Sequence, residues 1–340
     1  MPSLKNVGPN KVAHAIISKL IDREDVYIKV FYIKKEYGLT FPCDLEHFSL
    51  YKIFKLYKFD VLHSHMLRPD ILVGMLPWFH GKKISTVHNI VTLDLYYSYG
   101  RVVSKVVSFL WLKLWRKFDS VIVLSKNAKK FYEDKIMQRS KLRIIYNGVE
   151  TTVDDYISSE DHALLSSFKK DSNLLGSLCL ANERKGLEQV LYALTYLPNY
   201  KFILIGDGPV SSSLKKLSYE LNIQDRFLIL GFRDNARSFF KYIDYFVIPS
   251  RSEGFPLALI EAVVAKRKVI CSDLDIFKEV FNNKEVSFFK LDDIQSLVEA
   301  IKQSEYNDVK SAHERMLINY SSKAMAEKYL ECYVSGKDNV

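Results

Sequence analysis

Ile248-Pro249-Ser250-Arg251-Ser252-Glu253-Gly254-Phe255-Pro256-Leu257-Ala258-Leu259-Ile260-Glu261-Ala262 is the run that decides the fold. An apolar strand ends at Pro249, and a loop containing Gly254 follows. A helix is expected from near Pro256, because proline suits a first helical turn. The backbone N–H groups of Phe255 and Leu257 are then expected to point out of the helix N-terminus. Such an end attracts phosphate through unpaired donors and the helix dipole. Glu253 sits in the loop before the helix, and Glu261 lies about one turn inside it on the side of Leu257. Two carboxylates beside such an end offer acceptors to ligand hydroxyls on either side of a bound phosphate.

Outward from this run, short apolar segments alternate with helical patterns. Strands are expected at 27–33, 60–63, 84–88, 120–124 and 142–146, then at 174–181, 201–205, 227–230, 245–248, 268–271 and 286–289. Helices are expected at 126–135, 187–197, 211–221, 257–265 and 293–304. Alternation of this kind builds parallel sheets covered on both faces. It occurs twice, which predicts an α/β chain of two Rossmann-like domains facing across a cleft. The polar stretch beginning at Glu150 interrupts the alternation, so the boundary is placed between 150 and 172. The expected division is 1–160, 161–318 and a terminal segment 319–340. Ligands of such sheets bind beyond the carboxyl ends of the strands.

Composition narrows the classes. The 340 residues are 48% apolar and 26% charged, ordinary for a water-soluble globular chain. No run reaches the ~18 apolar residues of a membrane span. Residues 1–10 are polar and lack the apolar core of a signal peptide. Cys43, Cys179, Cys271 and Cys332 fit no metal spacing and read as reduced thiols of a cytosolic protein. Residues 1–150 carry 25 Lys+Arg against 13 Asp+Glu, or +12, and residues 151–340 carry 24 against 27, or −3. A basic first half fits an anionic partner, and solubility alone is the competing reading. No nucleic-acid-binding module is present, so nucleic acid is not expected as the partner.

Glu253 and Glu261, seven residues apart with Gly-Phe-Pro after the first, resemble the Glu-x7-Glu motif of retaining GT-B glycosyltransferases of family 4 (glycosyl transferases group 1). Asp60-Val-Leu-His-Ser-His65, Thr86-Val-His88, Val121-Ile-Val-Leu-Ser125, Ile145-Tyr-Asn-Gly-Val149, Ile205-Gly-Asp-Gly-Pro209 and Leu230-Gly-Phe232 resemble family segments in the same order, and 320–333 resembles the family's last helix, which implies that the terminal helix 319–340 crosses back to the first domain. The resemblance implies transfer of a sugar from a nucleotide sugar to an acceptor hydroxyl with retention of configuration and no metal or other cofactor. Charge develops on the leaving diphosphate, so cations and backbone donors aimed there lower the barrier. It implies catalytic roles for His88, Lys185 and Glu253. Donor binding is expected from Gly8, Arg184, Lys185, Gly206, Gly208, Phe232, Glu253, Gly254, Phe255, Pro256, Leu257 and Glu261. Relatives of this layout build O-antigen, capsule or exopolysaccharide, which implies a saccharide or lipid-diphosphate-linked acceptor at the inner face of the cytoplasmic membrane.

Some residues admit plainer readings. His63 and His65 end one strand and are expected to diverge, so that at most one of them serves the site. Gly206-Asp-Gly-Pro209 lacks the third glycine of a dinucleotide fingerprint. Asp273-Leu-Asp275 reads as a surface turn, and the lysines of 126–130 as a solvated helix face. The run 99–118, basic and rich in Trp and Phe, reads as a core helix first and as an interfacial helix on anionic lipid second.

The pattern also departs from the family. The strand expected before the glycine loop at 6–12 is missing, and the helix after that loop is expected at 12–20. Gly8-Pro9 stands where two glycines are usual. The arginine expected before Lys185 is lost, with Leu180 or Ser177 in its place, and Arg184 is the nearest substitute. These departures motivate a competing reading, a non-catalytic protein of the same architecture that binds a sugar nucleotide or supports a partner transferase. A sugar-nucleotide epimerase is a third.

Overall fold

The structure is a computed structural model that describes residues 1–88, 90–135, 139–152 and 156–335, with the backbone alone at 93, 94, 97, 98 and 139. Residues 153–155 of the expected boundary stretch lie outside the described residues. The chain forms two compact units, Met1–Val149 with Tyr320–Val340, and Glu150–Asn319.

In the first unit the strands are β1 (Lys29–Tyr32), β2 (Asp44–His47), β3 (Val61–His65), β4 (Lys82–Val87), β5 (Ser120–Val123) and β6 (Leu142–Ile144). Its helices are α1 (Gly8–Leu20), α2 (Leu67–Gly74), α3 (Val91–Leu114) and α4 (Lys126–Glu133). β3 to β6 form a parallel sheet in sequence order, while β1 and β2 form a separate parallel pair. Among the described residues no strand joins β1 to β3, where the family's first strand is expected. Residues 1–4 run beside β1 instead. The Met1 amine donates to Phe31 O at 2.6 Å, Ile33 N to Met1 O at 3.2 Å, and Leu4 N to Glu36 O at 2.8 Å. Leu4 is buried with Ala13, Ile17, Val30 and Phe41. α1 starts at Gly8, earlier than expected, so the presumed glycine loop is partly the first helical turn. Pro9 is tolerated there because the first turn has no intrahelical acceptor for its nitrogen.

The second unit holds β7 (Asn173–Leu178), β8 (Tyr200–Ile205), β9 (Phe227–Gly231), β10 (Tyr245–Ile248), β11 (Lys268–Ser272) and β12 (Ser287–Phe289). Its helices are α5 (Ser159–Lys169), α6 (Glu188–Leu194), α7 (Ser211–Glu220), α8 (Leu257–Val264), α9 (Asp275–Val280), α10 (Ile294–Gln303) and α11 (Val309–Asn319). α12 (Ser322–Val334) returns to the first unit and packs on α1. The strands are all parallel, in the order β12-β11-β10-β7-β8-β9. Their apolar runs are continuous, as in Phe202-Ile203-Leu204-Ile205, because helices cover both faces. The strand order reverses between β7 and β10. Loops leaving the carboxyl ends of these two neighbours therefore converge, which is where open α/β sheets bind ligands.

Candidate functional site

Lys185 follows β7 and Glu253 follows β10, so the reversal of strand order brings them together. Lys185 Nζ lies 2.6 Å from Glu253 Oε1, and the Ser250 hydroxyl donates to the same oxygen at 2.7 Å. The glutamate side chain is 9% exposed and the lysine 19%, so the pair lies largely out of water. Burial by itself would raise the Glu253 carboxyl. The charges of Lys185 and Arg184, with hydrogen bonds from Lys185 and Ser250, hold it below the usual carboxylate range. Ionised, it is an acceptor only, and its other oxygen has lone pairs for hydroxyls.

Backbone geometry aims the cations. Glu183–Lys185 is a single 3-10 turn that Gly186 ends in the left-handed region, at φ 62°. A β-carbon at Gly186 would lie 2.3 Å from Pro249 O, so only glycine lets this turn close on the β10 loop. The two loops are then laced together. Arg251 N donates to Arg184 O at 2.8 Å, and Gln189 Nε2 reaches Pro249 O at 3.0 Å. Arg184 Nη1 is 3.3 Å from Ser252 O. Of the candidate replacements for the family arginine, Ser177 is buried in β7 with its hydroxyl on Val247 O, and Leu180 is an exposed loop residue. Arg184 is the one that stands beside Glu253.

The helix N-terminus differs from expectation in detail. α8 begins at Leu257 with Pro256 as its cap. The Leu257 N–H, expected to point out toward phosphate, donates to Phe255 O at 3.0 Å, because the tight entry at Pro256 folds the backbone onto itself. Gly254, Phe255 and Pro256 form that entry, and the Phe255 and Pro256 side chains are buried. Glu261 lies within α8, its Oε1 3.7 Å from Arg237 Nε. Arg237 also donates to Glu150 O at 2.6 Å. Gly206 and Gly208 let the β8–α7 loop press on the segment after β7. β-carbons there would lie 2.0 Å from Cys179 O and 2.2 Å from Ala181 O. Phe232, just beyond β9, is exposed.

The first unit gathers a separate cluster. His65 Nδ1 and His88 Nε2 are 2.9 Å apart, with their rings stacked. His63 meets the Tyr333 hydroxyl at 2.8 Å and Thr86 Oγ1 at 2.8 Å, and Thr86 meets the Tyr329 hydroxyl at 3.0 Å. The expected divergence of His63 and His65 is corrected. Their rings are 4.3 Å apart on one face, as a pleat that repeats every two residues requires. Burial lowers His63 and His88 to about 3, and His88 and the Met1 amine add to the effect at His63. Gly8 lies at the start of α1, where a β-carbon would meet nothing within 4 Å, so packing alone does not demand glycine.

Several residues of these clusters carry no signal in the sequence. Asp70 is fully buried under β3 and β4 and accepts from Ser64 (2.6 Å), Ser85 (2.8 Å), Trp111 (2.7 Å) and Trp115 (2.9 Å). It anchors the strands that present the histidines. Ser250, Gln189 and Arg237 went unread for the same reason, since a single polar residue has no periodicity. Asp273 Oδ1 accepts from Leu291 N at 3.1 Å, a turn contact.

Comparison with known proteins follows the same division. Residues 18–153 match the family described as Glycosyltransferase Family 4, and residues 164–324 match Glycosyl transferases group 1. The chain is 30% identical over 344 residues to the O-antigen biosynthesis glycosyltransferase WclY of Escherichia coli, covering 97% of this chain and 96% of that one. It is 27% identical over 268 residues to the UDP-Gal:alpha-D-GlcNAc-diphosphoundecaprenol alpha-1,3-galactosyltransferase of Escherichia coli, covering 74% and 68%. Among solved structures, Anabaena HepE in complex with UDP and glucose superposes with a TM-score of 0.80 at 15% identity, covering 98% and 100%. Sucrose-phosphate synthase of Thermosynechococcus elongatus gives 0.81 at 18% identity, covering 98% and 94%.

Proposed function

Because this chain belongs to the family 4 glycosyltransferases, glycosyl transferases group 1, we propose that it transfers a sugar from a UDP- or GDP-linked donor, with retention of configuration and without a metal. The acceptor is a hydroxyl of a saccharide or lipid-diphosphate-linked saccharide, reached at an anionic membrane surface during assembly of O-antigen or a related surface polysaccharide. The observation that carries this reading is the largely buried Lys185–Glu253 pair at the strand-order reversal, with Arg184 beside it.

The chemistry follows from that pair. As the bond between the anomeric carbon and the diphosphate breaks, negative charge grows on the departing oxygen. Lys185 and Arg184 supply fixed positive charge in a largely dry setting, where it is worth more than in water. Glu253 keeps Lys185 in place and offers its remaining lone pairs to donor-sugar hydroxyls. Glu261, within α8, is the candidate for ribose hydroxyls. His88, steadied by His65, is the first-unit candidate for contact with the sugar. Two similar proteins support the donor and acceptor classes: HepE is in complex with UDP and glucose, and the Escherichia coli galactosyltransferase is named for UDP-Gal and a diphosphoundecaprenol-linked sugar.

Calorimetric titration of the purified chain with UDP- and GDP-sugars in the presence of a chelator tests this directly. One of them is expected to bind, and Glu253→Gln is expected to weaken the nucleotide sugar more than the bare nucleotide diphosphate. Equal weakening of both would refute the sugar-facing role of Glu253. The separation of β1–β2 from the four-stranded sheet keeps a second reading alive, a non-catalytic member of the fold. Donor binding without transfer or donor hydrolysis would favour it.

A further inference from the structure

α3 buries one face against the core of its unit and turns a second, apolar face to water. Its inward face carries Ser104 and Ser108, both buried, followed by Trp111 and Trp115 on Asp70. Its outward face carries Val102, Val103, Val106, Phe109 and Leu110, which are 75%, 43%, 55%, 65% and 58% exposed. At 100° per residue these five side chains fall within an arc of roughly 120°, and Lys113 continues that arc. Placing serines inside and a valine-phenylalanine-leucine stripe in water opposes the ordinary partition of a surface helix. The core of the unit therefore does not account for the stripe.

The charge around it is of one sign. From Arg101 to Phe118 there are five basic and no acidic residues. Arg101, Lys105, Lys113, Arg116 and Lys117 are all exposed, and none has an ion-pair partner among the described residues. A second feature follows α2, which packs on the C-terminal part of α3. Gly74, which ends α2, lies against Leu114 and Phe118, and the chain leaving it reaches Trp78. Trp78 is 84% exposed with φ at 47°, a left-handed backbone that a bulky residue seldom adopts. Tyr57 fixes the neighbouring turn by donating to Pro77 O at 2.7 Å. The indole is thus held out in water on a strained backbone, where packing gains nothing from it.

We propose that the outward face of α3, with Trp78 at its end, is a docking surface for an anionic phospholipid bilayer. Apolar side chains enter the headgroup boundary, the unpaired cations meet anionic lipid, and the indole takes the interfacial position that tryptophan favours. The one-sign basic border argues for this occupant over a second copy of the chain, whose own +5 stripe would repel it. The proposal rests on the membrane-side acceptor of the preceding section, and it identifies the surface that reaches it.

The test is co-sedimentation of the full chain with vesicles of phosphatidylcholine alone or with phosphatidylglycerol. Nucleotide-sugar binding is measured in parallel on the same preparations. Binding is expected only with phosphatidylglycerol and is expected to weaken with added salt. The Val106→Asp/Phe109→Asp variant is expected to lower partitioning at least ~10-fold. Lys105→Gln/Lys113→Gln, which leaves the apolar stripe intact, is expected to lower it and to flatten the salt dependence. Brominated lipid is expected to quench a component of the emission that Trp78→Phe removes. Donor binding unchanged in these variants shows that the fold survives. No vesicle binding by the parent chain, equal binding by the aspartate variant, or an unquenched Trp78 overturns the proposal. So does a dimer in sedimentation that the same aspartates abolish. Loss of donor binding in the parent chain would instead refute the proposed function.

Discussion

Replacing Lys185 by methionine should separate the structural from the chemical role of the buried pair. The substitution keeps most of the side-chain volume and removes the charge. Glu253 then keeps the Ser250 hydrogen bond and the more distant Arg184, but loses the 2.6 Å contact. Burial is the largest influence on this carboxyl and pushes it upward. With Lys185 gone, its opposition is cut to Arg184 and Ser250, so the carboxyl should rise. Leaving one member of a buried pair costs about 3 kcal/mol, at the low end of measured cases because the site is not fully sealed. For a unit of this size that is a fall of roughly 6–12 °C in the thermal transition. Lys185→Met/Glu253→Gln removes both charges and should recover at least half of that loss. It should not recover donor binding or transfer, which are expected to fall by ~10²-fold in both variants. Scanning calorimetry on the transition that nucleotide shifts upward, with donor titration alongside, reads both quantities. A stable single variant, or a double variant no better than the single, would refute the electrostatic account. Full donor binding in the double variant would refute the diphosphate role of Lys185.

Acid should weaken the first unit earlier than the second. His63 and His88 are held to about 3 in the fold, so below about pH 6.5 the unfolded chain takes up protons that the fold refuses. At pH 5 this is about 2 kcal/mol lost for each histidine, readable as a lower urea midpoint of Trp111 and Trp115 fluorescence. A flat profile from pH 7 to 5 would contradict it. Asp70→Asn presents a donor to an acceptor site that four donors already face. It should cost about 3 kcal/mol and alter the near-ultraviolet circular dichroism of the two tryptophans. Gly186→Ala forces a β-carbon onto Pro249 O at φ 62°. It should cost at least ~2 kcal/mol and weaken donor binding by displacing Lys185, which a thermal shift with and without nucleotide would register.

Legibility in the sequence followed the physics of each element. Buried parallel strands such as Tyr245–Ile248 announce themselves as unbroken apolar runs, so the second unit was traced almost strand by strand. β2, Asp44-Leu-Glu-His47, was missed because its residues are largely polar and its Glu46 is held by Lys29 and Lys52. The Glu253 and Glu261 positions were readable because their loop and helix carry Gly and Pro at telling places. What fixes Glu253, namely Ser250, Gln189 and the return of Arg251, depends on which strands are neighbours, and strand order is not written locally. The outward stripe of α3 was visible as a helical pattern. Its direction was not, because a 3.6-residue period does not say which face is inside. The Asp70 carboxylate under the two tryptophans supplied that information.

The proposed reaction is retaining, metal-independent transfer centred on Lys185 and Glu253. Proton NMR of the anomeric signal of the first-formed product tests it most directly, with purified chain, the donor selected by titration and a chelator present. The expected product has the anomeric configuration of the donor, forms at a rate the chelator leaves unchanged and is lost in Glu253→Gln. An inverted anomeric signal, or transfer abolished by the chelator and restored by a divalent cation, would contradict it.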